Sequence, residues 1–207
     1  MIKLRNFFKS FGPKRVLKSL DLEVNSGEIV AIKGKNGSGK TTLFKAISTL
    51  DRPDDYDVAE IDDFDIVSNS EEVRSRIGFL SHNPPFYPEF TGLENLKFWL
   101  DLNPRETDLT YAKELLAKVG LISFGDNFAG YYSRGMIQRL GFAMSISHSP
   151  TTLLLDEPFT SLDDEGSKII KEHLIRLKEE GCSILLSSHD KISFADRTLV
   201  LEDGALK

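Results

Sequence analysis

The chain has 207 residues, a length that predicts one domain, or one domain with a subdomain. Its 26 basic and 32 acidic residues give a net charge of −6, and this balance, without a long basic stripe, argues against a nucleic-acid partner. No apolar run approaches the ~20 residues of a membrane helix, and residues 1–10 lack the apolar stretch of a signal peptide. The single cysteine, Cys182, excludes an intrachain disulfide. We therefore expect a globular protein of a reducing compartment that does not insert into a membrane.

The first part of the chain predicts a strand, a glycine-rich loop and a helix, in that order. Residues 28–33 contain a continuous apolar run, which is typical of a strand buried on both faces. Glycines follow this run directly. After them, apolar residues recur at the spacing of one helix face, at Leu43, Ala46, Ile47 and Leu50.

The middle of the chain, residues 84–140, predicts an inserted helical subdomain. Thr91 and Glu94 have the spacing of a capping box directly before an apolar helix face. Two further helices are predicted from apolar faces, the first formed by Ala112, Leu115, Leu116 and Val119, the second by Ile137, Leu140 and Met144.

The last part of the chain returns to alternating strands and helices. A helix is predicted from about Asp164, and strands are predicted at residues 153–155, 183–187 and 198–202. Strands that alternate with helices favour a mainly parallel sheet. The sequence therefore predicts a single α/β domain over residues 1–207, whose core is formed by residues 1–80 and 150–207.

A phosphate-binding loop is predicted between the first strand and the first helix. The run from Gly34 to Thr41 matches the pattern G-x-x-x-x-G-K-[ST] in full and lies in the required strand-to-helix context. Its backbone N–H groups and the helix N-terminus would converge on phosphate, Lys40 would reach the β- and γ-phosphates, and the Thr41 hydroxyl would bind Mg²⁺. The predicted nucleotide-binding residues of this loop are Gly34, Lys35, Asn36, Gly37, Ser38, Gly39, Lys40, Thr41 and Thr42.

Two acidic residues follow a predicted buried strand. Asp156 and Glu157 come directly after the apolar residues 153–155, and ligands of a parallel sheet bind at the carboxyl ends of its strands. We expect Asp156 to hold Mg²⁺, directly or through water. We expect Glu157 to polarise a water molecule toward the γ-phosphate.

These motifs resemble those of ATP-binding cassette (ABC) ATPases, and the resemblance covers nearly the whole chain. The family signature corresponds to residues 132–136, in which Ser133 and Gly135 match while the other positions depart from the commonest form. Ser133 and Gly135 lie at the start of a predicted helix, where a second anion site can form. In the family this site binds the ATP held by the phosphate loop of a second subunit, which implies an ATP-dependent head-to-tail homodimer.

Other family motifs map onto four further positions. Asp163 corresponds to the D-loop, and His189 corresponds to the switch histidine, which is implied to touch the γ-phosphate and to help position the attacking water. Phe11 falls where the family places an aromatic that stacks on adenine. The family usually has a metal-facing glutamine where this chain has His82, so His82 is predicted as a metal ligand, with Asn83 as the alternative.

The resemblance implies a P-loop NTPase core with a mainly parallel sheet, an N-terminal antiparallel β subdomain and an inserted α-helical subdomain. It also implies ATP and Mg²⁺ as cofactors and the hydrolysis of ATP to ADP and phosphate. The predicted catalytic residues are Lys40, Glu157 and His189.

Family members power separate transmembrane permease subunits, which implies a cytoplasmic, peripheral location on the inner face of the cell membrane. Their helical subdomain contacts these partners. Here we expect Phe86, Tyr87 and Phe90 to face a partner, and Phe98 and Trp99 to pack in the helical core.

The length of the chain and its predicted strand before a proline-containing loop also resemble the ATPase of the haem exporter of cytochrome c maturation. An alternative from a different class is a soluble ABC ATPase that drives assembly on an iron–sulfur scaffold without transport.

Overall fold

The computed structural model describes residues 1–102 and 108–207, which form ten strands and six α-helices. The strands are β1 (Ile2–Phe11), β2 (Lys14–Val24), β3 (Ile29–Lys33), β4 (Val58–Ile61), β5 (Phe64–Asp65), β6 (Ile77–Leu80), β7 (Thr152–Leu155), β8 (Ser183–Ser188), β9 (Arg197–Glu202) and β10 (Ala205–Leu206). The helices are α1 (Lys40–Ile47), α2 (Ser70–Arg76), α3 (Gly92–Asp101), α4 (Leu109–Lys118), α5 (Arg134–Ile146) and α6 (Asp164–Glu179).

The strands form two sheets, and the predicted α/β fold with an N-terminal antiparallel sheet is confirmed. The antiparallel sheet has the order β2-β1-β4-β5, and the larger sheet has the order β10-β9-β3-β8-β7-β6. In the larger sheet β9, β3, β8, β7 and β6 pair in parallel, and β10 pairs antiparallel with β9. Leu155 lies opposite Leu80 on one side and Leu186 on the other, so the carboxyl ends of the central strands open onto one edge.

Strand β3 shows why its apolar run is uninterrupted. Ile29 and Ala31 belong to the hydrophobic cluster that includes residues of α3, α4, α5 and α6. Val30 and Ile32 point to the opposite face and belong to the cluster shared with the antiparallel sheet and α1. All four side chains are fully buried, and burying a valine or isoleucine side chain stabilises a fold by ~1.5–3 kcal/mol. The larger sheet therefore lies between two cores.

Four of the described helices begin at side chains that cap them, which are Thr91 for α3, Asp108 for α4, Ser133 for α5 and Asp163 for α6. The predicted capping box is confirmed, because Thr91 Oγ1 accepts the Glu94 N–H at 3.1 Å and the Glu94 carboxylate accepts the Thr91 N–H at 2.8 Å. Ser133 caps α5 and Asp163 caps α6 in the same manner, each accepting a backbone N–H three residues on. A cap of this type is worth ~1 kcal/mol and fixes where the helix starts.

The spacing of Leu50 predicted that it would lie on the apolar face of the first helix, but it does not. Helix α1 ends at Ile47, and Leu50 is 63% exposed. Thr49 has a φ of 66°, so the chain turns out of the helical path before it reaches Leu50. The apolar spacing therefore extended one turn beyond the helix itself.

Phe98 is also not the core residue that was expected. It is 39% exposed and packs against Tyr87 and Phe90, with ring centroids 5.1 and 6.3 Å away. We call Tyr87, Phe90 and Phe98 the aromatic cluster. Trp99, the next residue of α3, is partly buried and packs against the helical core as expected.

Helix α5 runs past residue 140 and packs against β6, so the helices and the larger sheet share one hydrophobic cluster. The division into a core of residues 1–80 and 150–207 and an insert of residues 84–140 stays a prediction. Within residues 1–102 and 108–207, no helix combines the length and the apolar character needed to cross a bilayer.

Candidate active site

The predicted phosphate loop connects β3 to α1 and needs glycine at particular positions. Gly37 and Gly39 have φ values of 78° and 109°, in the left-handed region that favours glycine. A Cβ on Gly34 would lie 2.5 Å from the Ser38 hydroxyl oxygen and 2.6 Å from the Leu201 carbonyl oxygen, closer than real atoms approach. The backbone can therefore fold tightly at the N-terminus of α1, where anions are stabilised.

Lys40, the first residue of α1, folds back over this loop. Its side chain is 6% exposed, and its ammonium donates to the Gly34 carbonyl at 2.7 Å and to the Lys35 carbonyl at 3.5 Å. The same ammonium lies 3.9 Å from the Glu157 carboxylate. A buried positive charge thus occupies the centre of the loop, between the backbone and the acids that follow β7.

Asp156 lies directly under the phosphate loop and is 1% exposed. One carboxylate oxygen accepts the Thr41 hydroxyl at 2.7 Å, and the other accepts the Ser187 hydroxyl at 2.7 Å. Carboxylate and hydroxyl oxygens are the donors that Mg²⁺ prefers, so Asp156 and Thr41 fit a magnesium ion. Within residues 1–102 and 108–207, no cluster of three or more His, Cys, Asp or Glu side chains could hold a metal by itself. The phosphates of a nucleotide and water would have to complete the coordination.

Glu157 has an uncommon backbone conformation, and its carboxylate contacts other partners than that of Asp156. Its φ is 56°, which is uncommon for a residue other than glycine and is often found at functional sites. Its N–H donates to the Ser187 hydroxyl at 2.9 Å, and its carbonyl accepts from Gln138 at 3.3 Å. Its carboxylate lies 2.8 Å from His189 Nε2. The two acids therefore point into different parts of one network.

These groups surround a cleft of about 770 Å³ at the carboxyl edge of the larger sheet. It is lined by Lys14, Val16, Asn36, Gly37, Gly39, Lys40, Thr41, Thr42, Lys45, Ser81, His82, Asn83, Glu157 and His189. The lysines outnumber the acids on these walls, so the cleft can take an anion although the chain as a whole is acidic. The cleft brings together Lys40, Thr41, Glu157, His189 and His82, which were all predicted as site residues.

Phe11 lies apart from this cleft. It is 51% exposed, with the Lys9 ammonium 5.2 Å from its ring centroid, and it is not among the residues that line the cleft. Lys14 and Val16, a few residues further along the chain, line the cleft in its place. The stacking of Phe11 on adenine stays a prediction.

The predicted signature residues lie on a second surface, and none of them lines the cleft. Ser133 caps α5, Asp163 caps α6, and the two segments touch, because a Cβ on Gly135 would lie 2.7 Å from the Ser161 carbonyl oxygen. Tyr132 anchors this segment, since its hydroxyl donates to the Phe124 carbonyl at 2.7 Å, and burial raises its pKa. One copy of the chain therefore does not bring its signature residues to its own phosphate loop.

The sequence analysis missed two polar side chains of the site. Ser187 bridges Asp156 and the backbone of Glu157, and Gln138 reaches the Glu157 carbonyl from α5. The available signal for Ser187 was its place at the end of a predicted strand. Parallel pairing with the strand before Asp156 brings the two residues to the same edge.

Comparisons with known proteins agree with this geometry. A family model described as ABC transporter matches residues 17–160. The uncharacterized ABC transporter ATP-binding protein YdbJ of Bacillus subtilis (strain 168) is 35% identical over 211 residues, which cover 100% of this chain and 68% of that protein. The lipoprotein-releasing system ATP-binding protein LolD of Bacteroides thetaiotaomicron is 36% identical over 219 residues, which cover 100% of this chain and 99% of LolD.

Comparison of the fold with solved structures agrees with the sequence comparisons. The dimeric structure of an ATP-binding cassette in a post-hydrolysis state, bound to ADP and Pi, superposes with a TM-score of 0.91 at 28% identity, covering 100% of this chain and 97% of that one. The chain therefore belongs to the ABC transporter family, as an ATP-binding subunit that hydrolyses ATP to drive transport.

Proposed function

We propose that ATP is hydrolysed in the cleft described above, with Glu157 and His189 acting on the attacking water and Lys40 on the phosphates. The observation that carries this proposal is the convergence of these groups. The Lys40 ammonium and His189 Nε2 lie 3.9 and 2.8 Å from the same oxygen of Glu157. Phosphate-binding and water-activating groups thus meet in one place, as phosphoryl transfer requires.

Lys40 is positioned to change partners when a triphosphate enters. In the structure its ammonium donates to the Gly34 carbonyl at 2.7 Å. The same side chain can turn outward to the β- and γ-phosphates, where it neutralises charge that develops during cleavage. The left-handed turns at Gly37 and Gly39 keep the loop backbone close enough to bind the phosphates as well.

Glu157 is the proposed general base, and His189 orients its carboxylate. The backbone of Glu157 is fixed on both sides by Ser187 and Gln138, so the direction of the side chain is set by neighbouring elements. A general base acts when it lies within hydrogen-bond reach of the water it deprotonates. His189 is in addition proposed to contact the γ-phosphate.

Thr41 and Asp156 are the proposed magnesium ligands. Their mutual hydrogen bond of 2.7 Å places a hydroxyl oxygen and a buried carboxylate oxygen side by side. When bound, Mg²⁺ would supply charge neutralisation at the phosphate oxygens. Ser187 keeps the other Asp156 oxygen turned away from this position.

We further propose a homodimer in which Ser133, Gly135 and Asp163 of each copy complete the nucleotide site of the other. Support comes from their location on a surface separate from the cleft and from the dimeric form of the related cassette bound to ADP and Pi. The N-terminus of α5, capped by Ser133, would face the γ-phosphate, which a helix N-terminus stabilises.

The proposed partners outside the dimer are transmembrane permease subunits, with this chain bound at the inner face of the membrane. Two exposed apolar features support a partner. One is the aromatic cluster of Tyr87, Phe90 and Phe98, and the other is a groove of about 540 Å³ whose walls include Leu50, Phe79, Trp99 and Leu102. Relatives are ATP-binding proteins of transport systems, which does not favour the alternative of a soluble assembly ATPase.

Two variants test the proposed active site. Lys40→Ala is expected to lose ATP binding, and Glu157→Gln is expected to bind ATP while its turnover falls by ~100-fold or more, because the base is lost but the loop is intact. Nucleotide binding and phosphate release measured side by side separate the two effects. Wild-type turnover in Glu157→Gln would remove Glu157 from its proposed role.

A further inference from the structure

The Glu157 carboxylate lies between two imidazoles and not one. His189 Nε2 is 2.8 Å from Oε1, and His82 Nδ1 is 3.5 Å from Oε2. Thr160 donates to the same Oε2 at 3.4 Å. The Glu157 side chain is 15% exposed, whereas the His82 side chain is 47% exposed and has room to move closer. Each carboxylate oxygen therefore faces a histidine from a different loop.

The sheet register makes the meeting of His82 and Glu157 a consequence of the fold. In the parallel pair of β6 and β7, Leu80 lies opposite Leu155. The Asp156 N–H donates to the Leu80 carbonyl at 2.8 Å, which continues the pairing by one step. His82 and Glu157 each stand two residues beyond the paired leucines, so both reach the same level above the sheet edge.

This contact differs from the one expected when His82 was predicted as a metal ligand. The magnesium-binding pair proposed above is Thr41 and Asp156, and both Asp156 oxygens accept from hydroxyls. The charged side chain that His82 faces is Glu157. The backbone carbonyl of Asn83, the alternative ligand, accepts the Ser81 hydroxyl at 2.8 Å, and both residues line the cleft.

We propose that His82 is a positioning residue for Glu157 rather than a ligand of the metal. A carboxylate held at one oxygen can still rotate about its terminal bond. Donors on both oxygens fix its plane and thus the direction in which it accepts a proton from water. His189 is the donor to Oε1, and His82, with the proton on Nδ1, joins Thr160 as a donor to Oε2. This inference rests on the proposed role of Glu157 as the base.

The test compares His82→Gln with His82→Glu, two side chains of nearly equal size. The amide of the first can donate to Glu157, whereas the carboxylate of the second repels it but is a better ligand for Mg²⁺. We expect His82→Gln to keep kcat within about threefold of the wild type and His82→Glu to lower kcat by about tenfold or more, with the KM for ATP and the Mg²⁺ concentration for half-maximal rate unchanged in both. His82→Ala should fall between them.

The result that overturns the inference is a shift in the Mg²⁺ requirement. If His82 is a metal ligand, His82→Glu keeps a high kcat at a lower Mg²⁺ concentration and His82→Ala needs more Mg²⁺. His173→Gln is the matched control, because His173 Nε2 contacts the Lys118 carbonyl far from the cleft, and its kcat should equal that of the wild type. Normal turnover in Glu157→Gln would instead contradict the proposed active site itself, so the two failures are distinguishable.

Discussion

The cleft and the signature surface are built in opposite ways. In the cleft, side chains from distant parts of the chain bond to one another, as Thr41 does to Asp156 across 115 positions. On the signature surface, Ser133 and Asp163 bond to backbone N–H groups three residues away. The cleft is a tertiary network, whereas the signature surface consists of two locally satisfied helix starts.

This difference fits the proposed homodimer, in which each copy would hold two incomplete halves of a site. The cleft already has its acids, its lysine and its phosphate loop in place, so its geometry depends on the fold of one chain. The signature surface offers two exposed helix N-termini, and its residues do not line the cleft of the same copy. In the proposed homodimer, the second copy supplies the nucleotide that this surface contacts.

Among changes that leave the proposed catalytic side chains in place, the largest expected effect comes from substituting alanine for a glycine of the phosphate loop. In Gly34→Ala the new methyl group meets the Ser38 hydroxyl and the Leu201 carbonyl, so ATP binding should weaken by roughly 100-fold. In Gly37→Ala the new methyl group has open space around it, and only the left-handed backbone is unfavourable. ATP binding should therefore weaken by about tenfold. Titration with a fluorescent ATP analogue measures both. Equal losses would mean that space at position 34 is not what limits this loop.

A smaller effect is expected at the serine that joins the two acids. Ser187→Ala removes the hydrogen bond to Asp156 and the acceptor of the Glu157 N–H, so kcat should fall by about tenfold, in line with ~1–3 kcal/mol for unpaired buried groups. Ser183→Ala is the control in the same strand, because the buried Ser183 hydroxyl has no hydrogen-bond partner in the part of the chain that the structure describes. Its kcat should not change. An unchanged kcat in Ser187→Ala would show that Asp156 and Glu157 do not depend on the hydrogen bonds to Ser187.

A substitution on the signature surface should have an effect beyond helix stability only when two copies associate. Ser133→Ala and Thr91→Ala each remove a helix cap and should each lower the free energy of unfolding by ~1 kcal/mol. Placed in the Glu157→Gln background, Ser133→Ala should also weaken the ATP-dependent dimer, whereas Thr91→Ala should not. Sedimentation with and without Mg-ATP compares them. If both variants dimerise equally well with Mg-ATP, Ser133 does not contribute to the dimer, and the signature surface does not have the role proposed for it.

The smallest effect concerns a carboxylate outside both surfaces. Burial alone would raise the pKa of Asp196, but the Ile29 N–H and the Lys178 ammonium outweigh burial and lower it. A lowered folded-state pKa means that the ionised form stabilises the fold above the unfolded value of ~3.9 and that this stabilisation is lost as the pH falls through the folded value. Asp196→Asn should therefore be less stable than the wild type at pH 7 and approach it in acid. Urea unfolding midpoints against pH test this, while ATPase activity at pH 7 stays unchanged.

The sequence predicted what depends on neighbours along the chain. The phosphate loop was predicted because a strand, glycines, Lys40 and a helix follow one another directly, and the Thr91 capping box because its two partners lie three residues apart. The strand before Asp156 was predicted from its unbroken apolar run. In each case consecutive residues alone determine the feature, through the backbone conformation they require or through burial on both faces of a strand.

The tertiary structure decided what depends on register and on where elements end. Ser187 and Gln138 reach the site because β8 and α5 lie next to the end of β7. Phe98 is exposed because it packs with Tyr87 outside the core. The contact between His82 and Glu157 arises from strand pairing over 75 positions of chain. No pattern of neighbouring residues carries such information, because the free energy of these contacts depends on which strands pair and in which register.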